Sequence, residues 1–364
     1  MMRDVGLKGI VEVIAKDLEK RLPKQRATQR RKLSELVGGI LICQTPHLME
    51  LSDVLDRPRQ SAEARYNYVE RFLKNPLVHT NVVMAAYGED LLARLAKHHH
   101  TLVLMIDQSK VNATLEVLMV SVRLRKRAVP LFWIVRETKG GIGFSVQKDL
   151  LEVVRSWIPE GCRVMLAGDR FYGTSELVKW CQEQGWGYRL RLKGNLCIYQ
   201  DQGPDKTLDQ LKAEGMKGLE KARFRSGMVT SVGILHDPGH AEPWYIAMNT
   251  SPTEYKTLDY GLRWGIESMF SDFKSRGFSL MQTHIRFADR LERLLLVLSI
   301  ALHWAVAMGL WHEKQHQDHA EKRGPKKPLD HNSLFLKGVY ASFKDAVSFI
   351  KTYSLYGFIQ TDGW

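Results

Sequence analysis

Short apolar runs alternate with amphipathic helical patterns between residues 101 and 193, and this alternation restricts the chain to an α/β sheet. The runs TLVLMID, TLEVLMVSVRL and AVPLFWIVRE have the length and residue types of buried strands. They are followed by the helical pattern VQKDLLEVVRSWI, the strand CRVMLAGD, the helix TSELVKWCQEQG and the strand WGYRLRLKG. Three strands followed by alternating helices and strands predict a mixed sheet that is parallel in part.

The first and fourth of these strands each end in an aspartate, Asp107 and Asp169. Functional side chains gather at the carboxyl ends of parallel strands, so both carboxylates are candidates for a shared site. An aspartate at a strand end is also a common turn residue, and position alone leaves both interpretations open.

A helix predicted over about residues 256–275 carries a third carboxylate. Tyr260, Arg263, Glu267 and Lys274 fall within a stripe about 60° wide at about 100° per residue, and the apolar residues of the segment lie on another face. A carboxylate among phosphate-binding groups suits an enzyme that holds a metal ion against a nucleic-acid backbone. A solvated amphipathic face with an internal ion pair would produce the same pattern.

Carboxylates brought together repel one another unless a cation lies among them. Asp107, Asp169 and Glu267 therefore make sense as a Mg²⁺ or Mn²⁺ site. Two such ions about 3.5–4 Å apart could hold the attacking and leaving oxygens of a phosphoryl displacement.

The charge of the chain indicates a polyanionic partner. Lys and Arg number 53 against 40 Asp and Glu, a formal net charge of +13, which favours DNA or RNA over a membrane. Residues 20–32 hold seven basic side chains and no acidic one, between helical patterns that fill residues 1–75. This layout predicts a small helical DNA-binding domain, although an ordinary charged surface would look similar.

Two further features bear on location. The N-terminus is not a secretory signal, and the four cysteines lack CxxC or metal-ligand spacing, so we expect reduced thiols in a cytoplasmic protein. Residues 294–311 are apolar enough to cross a membrane but are at the lower limit of length. A buried helix of a large soluble protein is the better interpretation of that segment.

The remaining segments complete the predicted organisation. Residues 195–242 are polar and glycine-rich with short β-like pieces, and are interpreted as an insertion. PWYIAMNT resumes as a strand, a long helix follows at about 288–311, and a polar linker at 312–332 precedes a last helix at about 333–352.

Asp107, Asp169 and the Tyr260, Arg263, Glu267, Lys274 spacing together resemble the DDE transposases of bacterial insertion sequences. Among these, the chain resembles the "insertion sequence four" family, whose hallmark is the Y-R-E-K signature. The segment LAGDRFYG around Asp169 is similar to the family's second-aspartate motif, with Phe171 where that pattern often has a polar residue. The resemblance covers roughly residues 100–310.

The resemblance implies a ribonuclease-H-like catalytic domain over residues 100–310, interrupted by the β-rich insertion at about 195–242. It places the helical DNA-binding domain at residues 1–75 and a helical C-terminal region at 311–364. It also implies cut-and-paste transposition that depends on Mg²⁺, with Mn²⁺ as a substitute and two ions in the site. The expected partners are DNA, as terminal inverted repeats and target, and a second copy of the chain in the DNA-bound synaptic complex. The expected location is the bacterial nucleoid, with no membrane contact.

By position, the resemblance makes Asp107, Asp169 and Glu267 the catalytic metal ligands. Tyr260, Arg263 and Lys274 would bind phosphates near the cleaved end, and a lysine could not reproduce the bidentate contact of Arg263. Trp244, in PWYIAMNT, matches a strand tryptophan on which family members that form a DNA hairpin stack a flipped base. A core residue that anchors the strand is an equally good interpretation of Trp244.

Two other functions share parts of this pattern. A domesticated relative could bind DNA ends without chemistry, but all three carboxylates and all four signature positions hold the expected residues, which favours an enzyme. A ribonuclease-H-like nuclease or resolvase would share the metal site without needing the phosphate contacts or a stacking tryptophan.

Overall fold

The computed structural model describes residues 2–236, 241–320 and 355–356. Its N-terminal part is helical, as predicted, and the Ser61 side chain caps the fourth helix by accepting from the backbone N–H of Ala64. A fifth helix, which the sequence patterns did not identify, leads into the sheet. The five helices are α1 (Met2–Arg21), α2 (Ala27–Cys43), α3 (Leu48–Val54), α4 (Ala62–Leu73) and α5 (Thr80–His98).

Eight strands form one mixed sheet in the order β3-β2-β1-β4-β5-β10-β9-β8. Strands β1, β4 and β5 are parallel to one another, and the other pairings are antiparallel. The strands are β1 (Thr101–Lys110), β2 (Leu115–Leu124), β3 (Arg127–Glu137), β4 (Arg163–Gly168), β5 (Gly187–Arg191), β8 (Gly218–Arg223), β9 (Val229–Leu235) and β10 (Trp244–Met248). The predicted mixed α/β architecture is confirmed, and it is consistent with a ribonuclease-H-like transposase fold.

Helix α6 (Phe144–Arg155) leads from β3 to β4 and helix α7 (Ser175–Glu183) leads from β4 to β5, at the positions that the helical patterns predicted. Each presents a buried apolar stripe to the sheet, as a helix that crosses between parallel strands must.

The predicted insertion does contain β structure, but two of its strands join the main sheet. Strands β6 (Cys197–Ile198) and β7 (Lys206–Thr207) make a separate small pair next to α8 (Leu208–Ala213). Strands β8 and β9 instead extend the sheet beyond β10, where β9 pairs with β10 along Trp244 to Met248.

The segment predicted as one helix over about residues 256–275 is helical throughout residues 254–276, but it is not the single regular α-helix that the sequence predicts. The structure divides it into four consecutive pieces. These are α9 (Glu254–Leu258), a 3₁₀ helix (Asp259–Trp264), α10 (Gly265–Ser271) and a π-helical turn (Asp272–Arg276).

Two contacts accompany these changes of helix type. Arg189 Nε donates to the carbonyl of Lys256 at 2.8 Å, which gives that carbonyl a partner outside the helix. Gly265 lies so close to β3 that a Cβ there would meet the backbone carbon of Arg127 at 2.9 Å. The chain therefore follows the sheet surface and not an ideal helix axis, and angles measured on an ideal helix no longer apply to the four signature side chains.

The last described helix, α11 (Ala288–Ala320), runs through the core. Among the described helices it is the one long and apolar enough to cross a membrane, over Ala288–Trp311, but 94% of its apolar window is buried inside the protein. The prediction of a buried core helix is confirmed, and the helix continues into the predicted linker. The rest of that linker and the predicted last helix at 333–352 lie outside the described residues.

Helix α11 joins the N-terminal helices to the sheet. It packs against α2, α4 and β3, and one continuous hydrophobic core includes residues of all these elements. Glu292 accepts from the backbone N–H of Val135 at 3.0 Å, and its own carbonyl accepts from the indole N–H of Trp133.

Candidate active site

The parallel pairing of β1 with β4 brings the two aspartates to one edge of the sheet. Ile106 pairs with Gly168, so Asp107 and Asp169 occupy the next position on neighbouring strands. Asp107 accepts from the backbone N–H of Gln108 at 2.9 Å, and Asp169 accepts from the N–H of Phe171 at 2.8 Å. These local bonds hold both carboxylates in place before any ligand binds.

Glu267 reaches the same region from α10. The buried side chains Ile266 and Met269 hold α10 on the sheet, while the side chain of Glu267 remains 57% exposed. Just beyond α10, Asp272 forms a buried ion pair with Arg127 at the start of β3. The helix that carries the third carboxylate is therefore fixed at both ends.

Arg263 joins two of the three carboxylates. Its guanidinium donates to Asp107 at 3.2 Å and to Glu267, and its side chain is only 9% exposed. Asp169 acts on this bridge through its negative charge, which raises the pKa of Asp107. The structure thus brings Asp107, Asp169, Arg263 and Glu267 into one electrostatic unit.

The charges in this unit oppose one another at Asp107. The pKa of Asp107 is raised to about 6 because burial and the negative charges of Asp169 and Glu267 together outweigh the opposing charge of Arg263. Such mutual repulsion among hard oxygen donors is the condition that a bound divalent cation relieves.

The donor chemistry fits a divalent cation, whereas the present arrangement is not a closed ligand set. Within residues 2–236, 241–320 and 355–356, no group of three or more His, Cys, Asp or Glu side chains is close enough to hold a metal ion. The positive charge between Asp107 and Glu267 comes from Arg263.

The other signature residues lie around this unit. Tyr260 is buried, and its ring centre lies 5.7 Å from the guanidinium carbon of Arg263. Burial raises the pKa of the Tyr260 hydroxyl. Lys274 lies on the π-helical turn and is half-buried. Burial lowers the pKa of Lys274, while the charges of Glu116 and Asp107 oppose that change, so this ammonium also faces the carboxylates.

Trp244 is only 3% exposed. Its ring packs edge-on against Tyr260 at 5.2 Å and against Trp264 at 5.7 Å. Trp264, the residue after Arg263, is 41% exposed. In this structure the aromatic surface next to the site is presented by Trp264, with Trp244 behind it.

Tyr172 is a site residue that the sequence patterns did not single out. It is fully buried, and its hydroxyl has no hydrogen-bond partner among the described residues. Burial raises its pKa, and the nearest charges that act on it are those of Asp107 and Asp169. The sequence signal that could have identified Tyr172 is its position three residues after Asp169 in LAGDRFYG, which keeps its hydroxyl near the sheet edge that carries Asp169.

Comparison with known proteins gives one family match by sequence. The family model described as a transposase DDE domain matches residues 145–304. The matched segment contains Asp169, Tyr260, Arg263, Glu267 and Lys274, whereas Asp107 precedes it. No curated protein matches the chain.

Two solved structures are similar over part of the fold. Endonuclease V of Ciona intestinalis, in complex with a 24mer DNA containing an inosine followed by a ribo-adenosine, is 15% identical; the match covers 48% of this chain and 86% of that one, with a TM-score of 0.26. Human ENDOV is 12% identical over 58% of this chain and 94% of its own, with a TM-score of 0.23. At such TM-scores these likenesses carry no functional argument.

The sequence match therefore assigns similarity to a transposase DDE domain to residues 145–304, the part of the chain that supplies Asp169 and Glu267.

Proposed function

We propose that this protein is a cut-and-paste DNA transposase whose catalytic carboxylates are Asp107, Asp169 and Glu267. The observation that carries the proposal is their convergence. The β1–β4 register places both aspartates at one sheet edge, and Arg263 links Asp107 to Glu267 on a separate helix. Asp107 and Arg263 are 156 positions apart in the chain and are in direct contact. Arg263 lies within the segment that is similar to a transposase DDE domain, and Asp107 precedes that segment.

Asp107, Asp169 and Glu267 would hold Mg²⁺, for which Mn²⁺ could substitute, as two ions. When bound, such cations supply positive charge that offsets the charge developing on the phosphoryl oxygens. The side chain of Asp107 is largely shielded from solvent, whereas the exposed Glu267 leaves the other side of the site open to DNA.

Arg263 has the central role in positioning. In the free protein its guanidinium is bound to two carboxylates. We expect it to exchange these partners for a DNA phosphate when a cation neutralises Asp107 and Glu267, since a planar guanidinium binds two phosphate oxygens as readily as carboxylates. Tyr260 and Lys274 would contact neighbouring phosphates from the same segment.

The reaction would begin with water attacking the phosphodiester at the element end, which frees a 3′-hydroxyl. That hydroxyl would attack the opposite strand to form a hairpin, which is reopened before the final 3′-hydroxyl attacks target DNA. Hairpin formation requires a sharply bent strand, and a base flipped from it could stack on an aromatic side chain. Trp244 was predicted for that contact. Its burial behind Trp264 supports a shared aromatic surface in which Trp264 meets the base.

The rest of the proposed organisation follows the sequence analysis. Residues 1–75 would bind the terminal inverted repeats, residues 100–310 would form the catalytic domain with its insertion at about 195–242, and residues 311–364 would complete a helical C-terminal region. Each active site must be tied to a partner DNA end, which favours a homodimer in the synaptic complex. Such a protein would work at the bacterial nucleoid.

The test uses purified protein and an end-labelled duplex that carries the inverted repeat flanking the gene. Wild type is compared with Glu267→Gln, in Mg²⁺ and in EDTA, on a denaturing gel. Glu254→Gln is the matched control, because Glu254 is an exposed glutamate earlier in the same helical segment. We expect a metal-dependent nick at the repeat boundary that is lost in Glu267→Gln and kept in Glu254→Gln.

A slowly migrating hairpin product would support the hairpin step. Binding of the duplex without cleavage in Mg²⁺ or Mn²⁺ would contradict the enzyme and leave a DNA-end-binding protein. Cleavage without joining of the 3′-hydroxyl to target DNA would instead indicate a nuclease.

A further inference from the structure

Two basic side chains from separate segments lie over the ring of Tyr68 in the N-terminal helical region, and two more lie next to them in sequence or in space. Lys32 Nζ lies 4.1 Å from the centre of the Tyr68 ring, and the guanidinium carbon of Arg57 lies 3.5 Å from it. Arg31 is the neighbour of Lys32 on α2, and the charge of Arg71 acts on Lys32 from α4. We refer to Arg31, Lys32, Arg57 and Arg71 around Tyr68 as the Tyr68 cluster.

The acidic partner of the Tyr68 cluster, among the residues described, is Glu35. Glu35 binds Arg57 at 2.7 Å and Arg31 at 3.1 Å, so one carboxylate serves two guanidiniums. Lys32 and Arg71 are then left as surplus positive charge. Burial, followed by the charges of Arg71 and Arg57, lowers the pKa of Lys32 to about 8.

The cluster also contains an unused donor. Arg57 Nε is buried and has no hydrogen-bond partner in the described part of the chain. Arg31 and Arg71 are exposed, so an anion can approach from solvent. Crowded cations, a donor without an acceptor and an open side are together the requirements of an anion site.

Two other basic residues of the same region, Arg21 and Arg30, have partners inside the protein. Arg21 is bound to Asp17 and Asp90 at 2.9 Å each. Arg30 donates to the carbonyls of Leu22 and Pro23 and so closes the turn before α2. The high basic content of residues 20–32 is thus partly structural.

We propose that the Tyr68 cluster binds a phosphate group of the DNA backbone. The proposal rests on the proposed function, which supplies DNA as the partner, and it assigns Lys32 and Arg71 as phosphate contacts outside the catalytic site. A phosphodiester fits because guanidinium and ammonium groups bind phosphate oxygens without regard to base sequence. The aromatic ring of Tyr68 holds the Lys32 and Arg57 cations against their mutual repulsion.

The test measures how duplex affinity depends on salt. Binding of a labelled duplex is followed by fluorescence anisotropy in EDTA, which prevents cleavage, over a series of KCl concentrations. The Lys32→Gln/Arg71→Gln protein is compared with wild type and with Lys148→Gln/Lys179→Gln, a control that removes two exposed lysines from α6 and α7. Lys32→Arg keeps the positive charge and tests whether charge, not shape, is required.

Each phosphate contact contributes about 0.9 to the slope of log K against log salt concentration. At 0.1 M salt, one contact therefore strengthens binding about tenfold relative to 1 M salt. We expect the cluster variant to lose about 0.9 to 1.8 of slope and about tenfold or more in affinity, while the lysine control and Lys32→Arg resemble wild type. Thermal unfolding of each variant checks that the helical region remains folded.

Equal salt slopes for the cluster variant and wild type would overturn the assignment of Lys32 and Arg71 as phosphate contacts. In that case, cleavage of the duplex by wild type in Mg²⁺ would still support the proposed function. A wild type that binds no duplex would overturn both. A parallel titration with inorganic phosphate at constant ionic strength distinguishes the sources. Stabilisation of wild type by phosphate, without any change of DNA slope in the variant, would show a free-phosphate site and would also overturn the DNA assignment.

Discussion

The buried histidine of the core helix should make the stability of this protein sensitive to acid. His303 lies on α11 and is 1% exposed. Its Nε2 is 2.7 Å from the carbonyl oxygen of Pro130, and its Nδ1 contacts the hydroxyl of Tyr356. Because a carbonyl can only accept, Nε2 carries the hydrogen and Nδ1 accepts from Tyr356. The neutral ring satisfies both contacts, so protonation would place a new charge in the core.

The sign and size of the effect follow from the pKa. The pKa of His303 is lowered from 6.5 to about 4, because burial and, to a smaller extent, the charge of Arg21 outweigh the opposing hydrogen bond to Pro130. The unfolded chain therefore takes up the proton first as the pH falls. The contribution is fully present above about pH 6.5 and is lost as the pH falls toward 4. Between pH 7.5 and 4.5 the loss amounts to about 2.5 kcal/mol in the free energy of unfolding.

Urea unfolding at pH 7.5, 6.0 and 4.5 would measure this loss in wild type and in His303→Gln. Glutamine cannot take up the proton, while every other titrating group is common to both proteins. The pH dependence of wild type should exceed that of the variant by about 2.5 kcal/mol, whatever the stability of the variant at pH 7.5. An equal fall in both proteins would refute the argument from burial.

Three further outcomes concern the site. Arg263→Lys should slow cleavage of the repeat duplex by about ten- to a hundredfold, since one charged hydrogen bond is worth about 1.5–3 kcal/mol; Arg276→Lys, at an exposed arginine of the same segment, should cleave at the wild-type rate in the same single-turnover assay. Tyr172→Phe should weaken Mn²⁺ binding, measured by calorimetry, by about tenfold without lowering the stability of the metal-free protein. The reason is that it removes a hydroxyl beside Asp107 and Asp169 that makes no hydrogen bond in the described structure. An unchanged Mn²⁺ affinity would exclude a role for that hydroxyl in orienting the ligands. Trp244→Ala should lower the free energy of unfolding by about 3–5 kcal/mol, because it truncates a core side chain. Trp264→Ala should leave stability unchanged and weaken DNA binding by about 1–3 kcal/mol, with a lower yield of hairpin. The reverse pattern in urea unfolding and gel assays would restore Trp244 as the stacking residue.

The strand pattern between residues 101 and 193 was sufficient to predict the central sheet. Each apolar run became a strand because a continuous run of this length can be buried on both faces of a sheet. The positions of Asp107 and Asp169 at strand ends followed from the same pattern, and the parallel register then brought them side by side. Local periodicity could not show that β8 and β9 extend this sheet, because strand pairing depends on distant partners.

The signature segment shows where such reasoning fails. The spacing of Tyr260, Arg263, Glu267 and Lys274 predicts one regular α-helix, whereas the structure changes helix type three times along this segment. Contacts of Gly265 with the backbone of β3 and of Arg189 with the Lys256 carbonyl outweigh the small differences in free energy between helix types.

The sequence alone indicated the main strands of the sheet, the excess of positive charge and three candidate carboxylates, because each depends on residue type and local spacing. Only the tertiary structure decided that Arg263 bridges Asp107 and Glu267, that Trp264 and not Trp244 is exposed, and that Lys32 lies beside Arg57 and Arg71. These relations join residues far apart in the chain. Periodicity shows which side of an element is apolar, whereas packing decides which charges and rings come to lie against it.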